Sequence, residues 1–128
     1  MTIADTDVLI DFLAGVDPAA EKVASELERG SLQTTSITRF ELLSAASHTK
    51  QEAQVGQLLS AIPALPLDGA ATDQAAGVRA SLESSGSSIG MADSLIAGIA
   101  LAHDAPLLTR NMRQFENVAG LRLVTLGE

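Results

Sequence analysis

The stretch Thr2-Ile3-Ala4-Asp5-Thr6-Asp7-Val8-Leu9-Ile10 reads as a short apolar strand that stops on an acid and hands over to a helix. Beyond the acid, Val8, Leu9, Phe12 and Leu13 recur at helical spacing. The same alternation continues along the chain. Asp17 and Pro18 read as an N-cap and first helical residue of a helix that runs to Arg29 and ends at Gly30. Residues 32–34 suit a second strand, and Ser36 or Thr38 opens a helix through Glu41, Leu42, Leu43 and Ala46. A helix over 51–62 carries Val55, Leu58, Leu59 and Ile62 on one face, and Pro63 and Pro66 bracket an extended piece at 64–67. Asp68 can cap a helix through Ala75, Val78 and Leu82, followed by a flexible loop at 84–88. The periodicity over 91–103 predicts an amphipathic helix with Met91, Leu95, Ile99 and Ala102 buried. A buried strand at 106–109, a short helical turn to Phe115 and a last strand near 121–126 complete the pattern. Strands alternating with helices imply an α/β fold with a mainly parallel sheet covered on both faces. Ligands of such sheets bind beyond the carboxyl ends of the strands.

The length of 128 residues fits one domain, 1–128, with a single useful core. Hydrophobic residues make up 46% and aromatic residues 2%, so the core is expected to be Leu, Ile, Val and Ala with only Phe12, Phe40 and Phe115 to add. The absence of cysteine excludes a disulfide framework, a zinc–thiolate site and a Cys nucleophile. Neither a signal segment nor an apolar run of roughly 20 residues is found, so a soluble, cytoplasmic protein with no membrane partner is expected. The net charge of −8 argues against a protein that holds nucleic acid mainly by counterion release. It leaves room for a nuclease that engages phosphate through a bound metal and a few arginines, and it suits contact with a basic partner.

Asp5, Glu41 and Asp93 stand out. Asp5 ends the first strand, and Glu41 and Asp93 fall in the first turns of predicted helices. Asn111 lies two residues past the strand that ends at Thr109. All four positions face the carboxyl edge of the expected sheet. Clustered carboxylates suit Mg²⁺ or Mn²⁺, which take oxygen ligands and keep several waters. Each residue also has a structural explanation. Thr38 to Glu41 fits a capping box, Asp93 complements a helix dipole, and Asp5 can cap a helix.

Four segments carry a family resemblance: Ala4-Asp5-Thr6-Asp7-Val8-Leu9-Ile10, Ser36-Ile37-Thr38-Arg39-Phe40-Glu41-Leu42-Leu43, Ala92-Asp93-Ser94-Leu95-Ile96-Ala97 and Leu108-Thr109-Arg110-Asn111-Met112-Arg113-Gln114-Phe115. In this order and spacing they resemble the acidic motifs of PIN domains in VapC-like toxins. The resemblance implies a three-layer α/β/α sandwich and Mg²⁺- or Mn²⁺-dependent endoribonuclease activity leaving a 5′-phosphate and a 3′-hydroxyl. It further implies an RNA substrate, a homodimer and a cognate antitoxin. It carries the metal ligands onto Asp5, Glu41 and Asp93, with Asn111 as a further catalytic position and Thr6 and Thr109 at the substrate. Arg110, beside the fourth motif, is weighed as a contact to an RNA phosphate, which Arg can grip bidentately, against a solvated or acid-paired role.

The chain departs from the motif at Asn111, where an acid is frequent. Asn keeps an acceptor oxygen but no charge, which weakens the case for a second tightly held metal. Asp7 stands where the family often has Asn and is read as a surface or capping residue. Arg39 and Arg113 are read as solvated, and His48 and His103 as surface or helix-end residues.

Three rivals remain. Asp5 and Asp7 also fit the nucleophile motif of haloacid-dehalogenase-type phosphatases, but no Lys follows Lys50 and the late acids are only Asp104 and Glu116. A phospho-accepting receiver would use an acid such as Asp68 and the same missing late Lys. A PIN-like module that only binds a partner is permitted by Asn111 and opposed by three retained carboxylates.

Overall fold

The computed structural model describes residues 1–126. Five strands, β1 (Thr2–Ala4), β2 (Leu32–Thr35), β3 (Ala64–Leu65), β4 (Leu107–Leu108) and β5 (Leu123–Val124), form one sheet in the order β3-β2-β1-β4-β5. All four pairings are parallel. The chain builds outward from β1 in one direction through β2 and β3, then returns to the other side of β1 for β4 and β5. The order therefore reverses between β1 and β4, the switch point beyond whose carboxyl ends such sheets bind their ligands.

Seven helices connect the strands: α1 (Thr6–Ala14), α2 (Ala19–Glu28), α3 (Ser36–Ala45), α4 (Thr49–Ala61), α5 (Gly69–Ser84), α6 (Met91–Ala102) and α7 (Met112–Phe115). Successive strand residues point to opposite faces. Ala4 and Leu108 pack with Val8, Val23, Leu42 and Leu58 from α1–α4. Their neighbours Ile3 and Leu107 pack with Val78, Leu82, Ile96 and Phe115 from α5–α7. Two apolar layers on the two faces of one sheet make the three-layer α/β/α sandwich. No helix among the described residues is long and apolar enough to cross a membrane.

Most local signals are realised. Asp68 caps α5 by accepting the Ala71 N–H at 2.9 Å. Gly15 closes α1 at φ 72°, a conformation that costs glycine little. Three expectations are corrected. Pro18 is itself the cap of α2, after a cis Asp17–Pro18 bond, and Asp17 reaches the helix through the Glu21 N–H at 3.1 Å. α5 extends through Ser84, so the loop begins one residue later than expected. The predicted stripe on α6 holds at Ile99 and in part at Leu95 but fails at its ends: Met91 is 65% exposed and Ala102 is exposed, whereas Ser94 and every residue from Ile96 to Ala100 are buried. α6 is covered by the sheet on one side and by α5 on the other, so burial runs almost round it instead of along one stripe.

The α5–α6 contact depends on Gly98. A Cβ there would meet Ala71 O, Ala75 Cβ and Ala75 N, each at 2.6 Å. Backbone atoms cannot yield as a flexible side-chain tip can. Gly98→Ala is therefore expected to lose about 1–3 kcal/mol to overpacking, outweighing the propensity gain of up to ~1 kcal/mol. Gly56→Ala in α4, where an added Cβ would meet nothing within 4 Å beyond its own helix backbone, should keep that gain. Urea unfolding of the two variants checks the opposite signs.

Candidate active site

The carboxyl ends of β1 and β4 collect carboxylates. Asp5 follows β1 directly and is 5% exposed. Its Oδ1 accepts the Thr6 N–H and its Oδ2 the Thr109 hydroxyl, both at 2.8 Å. Even so, burial and then repulsion from Asp7 raise its pKa to about 7, against the pull of those two hydrogen bonds and with a smaller push from Asp93. Asp93 lies in the first turn of α6, where Gly90 is the cap. Burial raises its pKa, the Gln114 side chain opposes the rise, and repulsion from Glu41 and Asp7 adds to it. Glu41 accepts the Thr6 hydroxyl at 2.6 Å.

The structure thus brings Asp5, Glu41 and Asp93 into one electrostatic cluster. Glu41 arrives differently from the expectation. Thr35 caps α3 by accepting the Thr38 N–H at 3.1 Å, so Glu41 sits in the second turn and no Thr38–Glu41 capping box forms. Asn111 is the cap of α7 and is exposed; among the described residues its side chain makes no hydrogen bond, while its N–H donates to Thr109 Oγ1 at 3.1 Å. Thr6, Thr109 and Arg110 all face the cluster, and each donates to one of its acids.

Asp7 is corrected from a surface or capping residue to a member of the cluster. It accepts the Arg110 N–H at 3.2 Å, and its Oδ2 lies 3.3 Å from the Thr109 hydroxyl, whose single proton goes to the nearer Asp5. Asp11, one turn further on the same helix face, was not singled out in the sequence. It is 8% exposed, and both of its oxygens lie 2.9 Å from Arg110 Nη1. Asp7 and Asp11 together stitch the 109–111 segment to α1. An i, i+4 pair of acids on an apolar helix was the available signal. Gln114 and Thr38 were also missed, since their partners, Asp93 and Thr6, are brought to them only by the fold.

Removing Arg110 would leave the Asp11 carboxylate nearly buried and without its cation. Arg110 itself is 57% exposed, so the pair is partly screened. Arg110→Ala is expected to cost about 1 kcal/mol, against roughly none for Arg113→Ala, which has no ion-pair partner among the described residues. Thermal unfolding of both variants in chelator reads the difference.

The other acids weighed from the sequence stand apart from this chemistry. Asp68 is a helix cap, and Asp104 pairs with Arg122 at 3.3 Å. His48 caps α4 and His103 ends α6.

The donor set consists of carboxylate, amide and hydroxyl oxygens, the ligands of hard divalent cations. Among the described residues, no three His, Cys, Asp or Glu side chains stand as a ready ligand set for one ion. Mg²⁺ does not require one, because it commonly takes one or two carboxylates and completes its shell with water. The raised pKa values of Asp5 and Asp93 also mark negative charge that a cation would relieve. The residues fit such an ion.

Comparison with known proteins gives a consistent result. A family model described as "PIN domain" matches residues 2–121. The chain is 32% identical over 122 residues to the tRNA(fMet)-specific endonuclease VapC of Shigella flexneri, covering 92% of each protein. Its fold is similar to VapBC2 from Rickettsia felis bound to a promoter DNA fragment, with a TM-score of 0.86, 22% identity and 97% of both chains covered. It is equally similar to DNA-bound VapBC from Salmonella typhimurium, with a TM-score of 0.86, 24% identity and 98% of both chains covered.

Proposed function

The chain belongs to the PIN-domain family, and from that premise we propose that it is the endoribonuclease toxin of a toxin–antitoxin pair, with a divalent metal, Mg²⁺ or Mn²⁺, held by Asp5, Glu41 and Asp93 directly or through water. The observation that carries the reading is the mutually repelling acid cluster around the buried Asp5, at the point where the strand order reverses. The VapC relative supports RNA as the substrate, and the VapBC assemblies support an antitoxin as the partner. A homodimer and a cytoplasmic location accompany that assignment.

A bound ion of this kind lowers the pKa of water and neutralises charge that builds on phosphoryl oxygens. The protein's part is positioning. Thr109 fixes Asp5, and Thr6 fixes Glu41. Gln114 favours the charged form of Asp93. The exposed Asn111 side chain is free to meet the substrate or its attacking water. Arg110 gives Nη1 to Asp11, and the rest of its half-exposed guanidinium is available to an RNA phosphate.

The test is cleavage of RNA by the purified chain with Mg²⁺ or Mn²⁺ and with chelator. Cutting only with metal supports the reading, and cutting that persists in full chelation refutes it. Release of phosphate from small phosphomonoesters in place of RNA cleavage would favour the phosphatase reading.

A further inference from the structure

We propose that Thr38 is a positioning residue for Glu41, acting through a one-way chain of hydroxyls that ends on that carboxylate; the proposal rests on the reading of Glu41 as part of the metal site. Donor and acceptor counting fixes the direction. An ionised carboxylate only accepts, so the single Thr6 hydroxyl proton is committed to Glu41 Oε1 at 2.6 Å. The 2.9 Å contact between the Thr6 and Thr38 hydroxyls must then run from Thr38 to Thr6. Thr38 has no second proton, so its 3.3 Å contact with Thr35 runs from Thr35 to Thr38. Thr35 Oγ1 in turn accepts the Thr38 N–H at 3.1 Å.

Every O–H dipole in the series Thr35, Thr38, Thr6 therefore points toward Glu41, and such chains strengthen one another. Thr35 and Thr38 are 0% exposed, so water cannot replace a missing member. The chain ties the Glu41 side chain to three separate elements: the end of β2 and the first turns of α3 and α1. Asp5 is held by Thr109 in one step, whereas Glu41 depends on a relay.

The alternative is that Thr38 only fills space. Two substitutions separate the ideas in opposite directions. Thr38→Val keeps the shape and removes the hydroxyl; Thr38→Ser keeps the hydroxyl and removes a methyl. A packing role predicts that Val is tolerated and Ser is worse. The relay predicts that Val lowers metal-dependent RNA cleavage about 10–100-fold, as loss of a residue orienting a metal ligand typically does, and that Ser restores most of it. Exchange of the Thr6 hydroxyl proton with water, followed by NMR in the metal-free protein, is expected to speed about tenfold in Thr38→Val and little in Thr38→Ser.

Thr38→Val matching the parent in both measurements, or Thr38→Ser falling as far as Thr38→Val, would overturn the proposal. A parent protein that cuts no RNA would count against the function, while the exchange comparison would still decide the relay.

Discussion

An Asp5→Asn variant is expected to lose RNA cleavage by on the order of 10³-fold or more, while the metal-free variant melts at a higher temperature than its parent at pH 8. The two effects have one cause. Asp5 is nearly buried, and its charge is disfavoured by desolvation and by Asp7. An amide removes that charge and keeps the local geometry. Its oxygen accepts the Thr6 N–H as before, and the new amide nitrogen donates to Thr109 Oγ1. The Thr109 proton then turns to Asp7 Oδ2, already at 3.3 Å. The fold keeps its hydrogen bonds and sheds a repulsion, whereas a divalent ion loses a charged ligand. Cleavage rates and melting temperatures in chelator check both halves. A purely structural Asp5 would show loss of stability and unchanged cleavage.

The second large effect concerns pH. The folded-state pKa of Asp5 is raised from 3.8 to about 7. The native protein therefore holds a proton that the unfolded chain releases between those values. Stability from this group is fully present below pH ~4 and declines as pH rises to about 7, by up to about 4 kcal/mol. Asp93, also raised, adds in the same direction. Glu26, whose pKa is lowered, works oppositely and loses its contribution as pH falls. Subtracting the Asp5→Asn profile from that of the parent isolates the Asp5 contribution. Urea unfolding of both proteins from pH 4 to 8 in chelator should show their difference growing with pH. Saturating Mn²⁺ should flatten the parent, because a cation favours the charged carboxylate and stabilises the native state by mass action. A difference that does not change with pH would contradict the burial of an uncompensated charge.

Much of this arrangement is legible in the amino acids. The strand before Asp5, the apolar run at Leu107 and Leu108 and the helices between them are periodic signals carried by neighbouring residues. Asp5 and Asp93 could be assigned to the carboxyl edge of the sheet because each abuts an element boundary that punctuation residues mark. Glu41 reached the same edge although its helix starts earlier than the capping-box pattern suggested, since Thr35 caps α3. What could not be read depends on which strands lie side by side. Asp7 meets Thr109 and Arg110 across more than a hundred residues of chain only because β1 pairs with β4. The pairing of the buried Asp11 with the half-exposed Arg110 has the same origin. The α6 stripe held at Ile99 but missed most of the buried residues for a related reason: periodicity assumes one covered face, and α6 is covered on two. Thr38 is invisible from sequence because its role is a direction of hydrogen bonding, which exists only once Thr6 and Glu41 are brought to it.

The most direct measurement is anomalous diffraction at the manganese edge from crystals of the chain grown or soaked with Mn²⁺. One strong peak is expected beyond the ends of β1 and β4, with carboxylate oxygens of at least two of Asp5, Glu41 and Asp93 about 2.0–2.6 Å away and water completing the shell. A fully occupied peak elsewhere on the molecule, with these three side chains left unliganded, would contradict it.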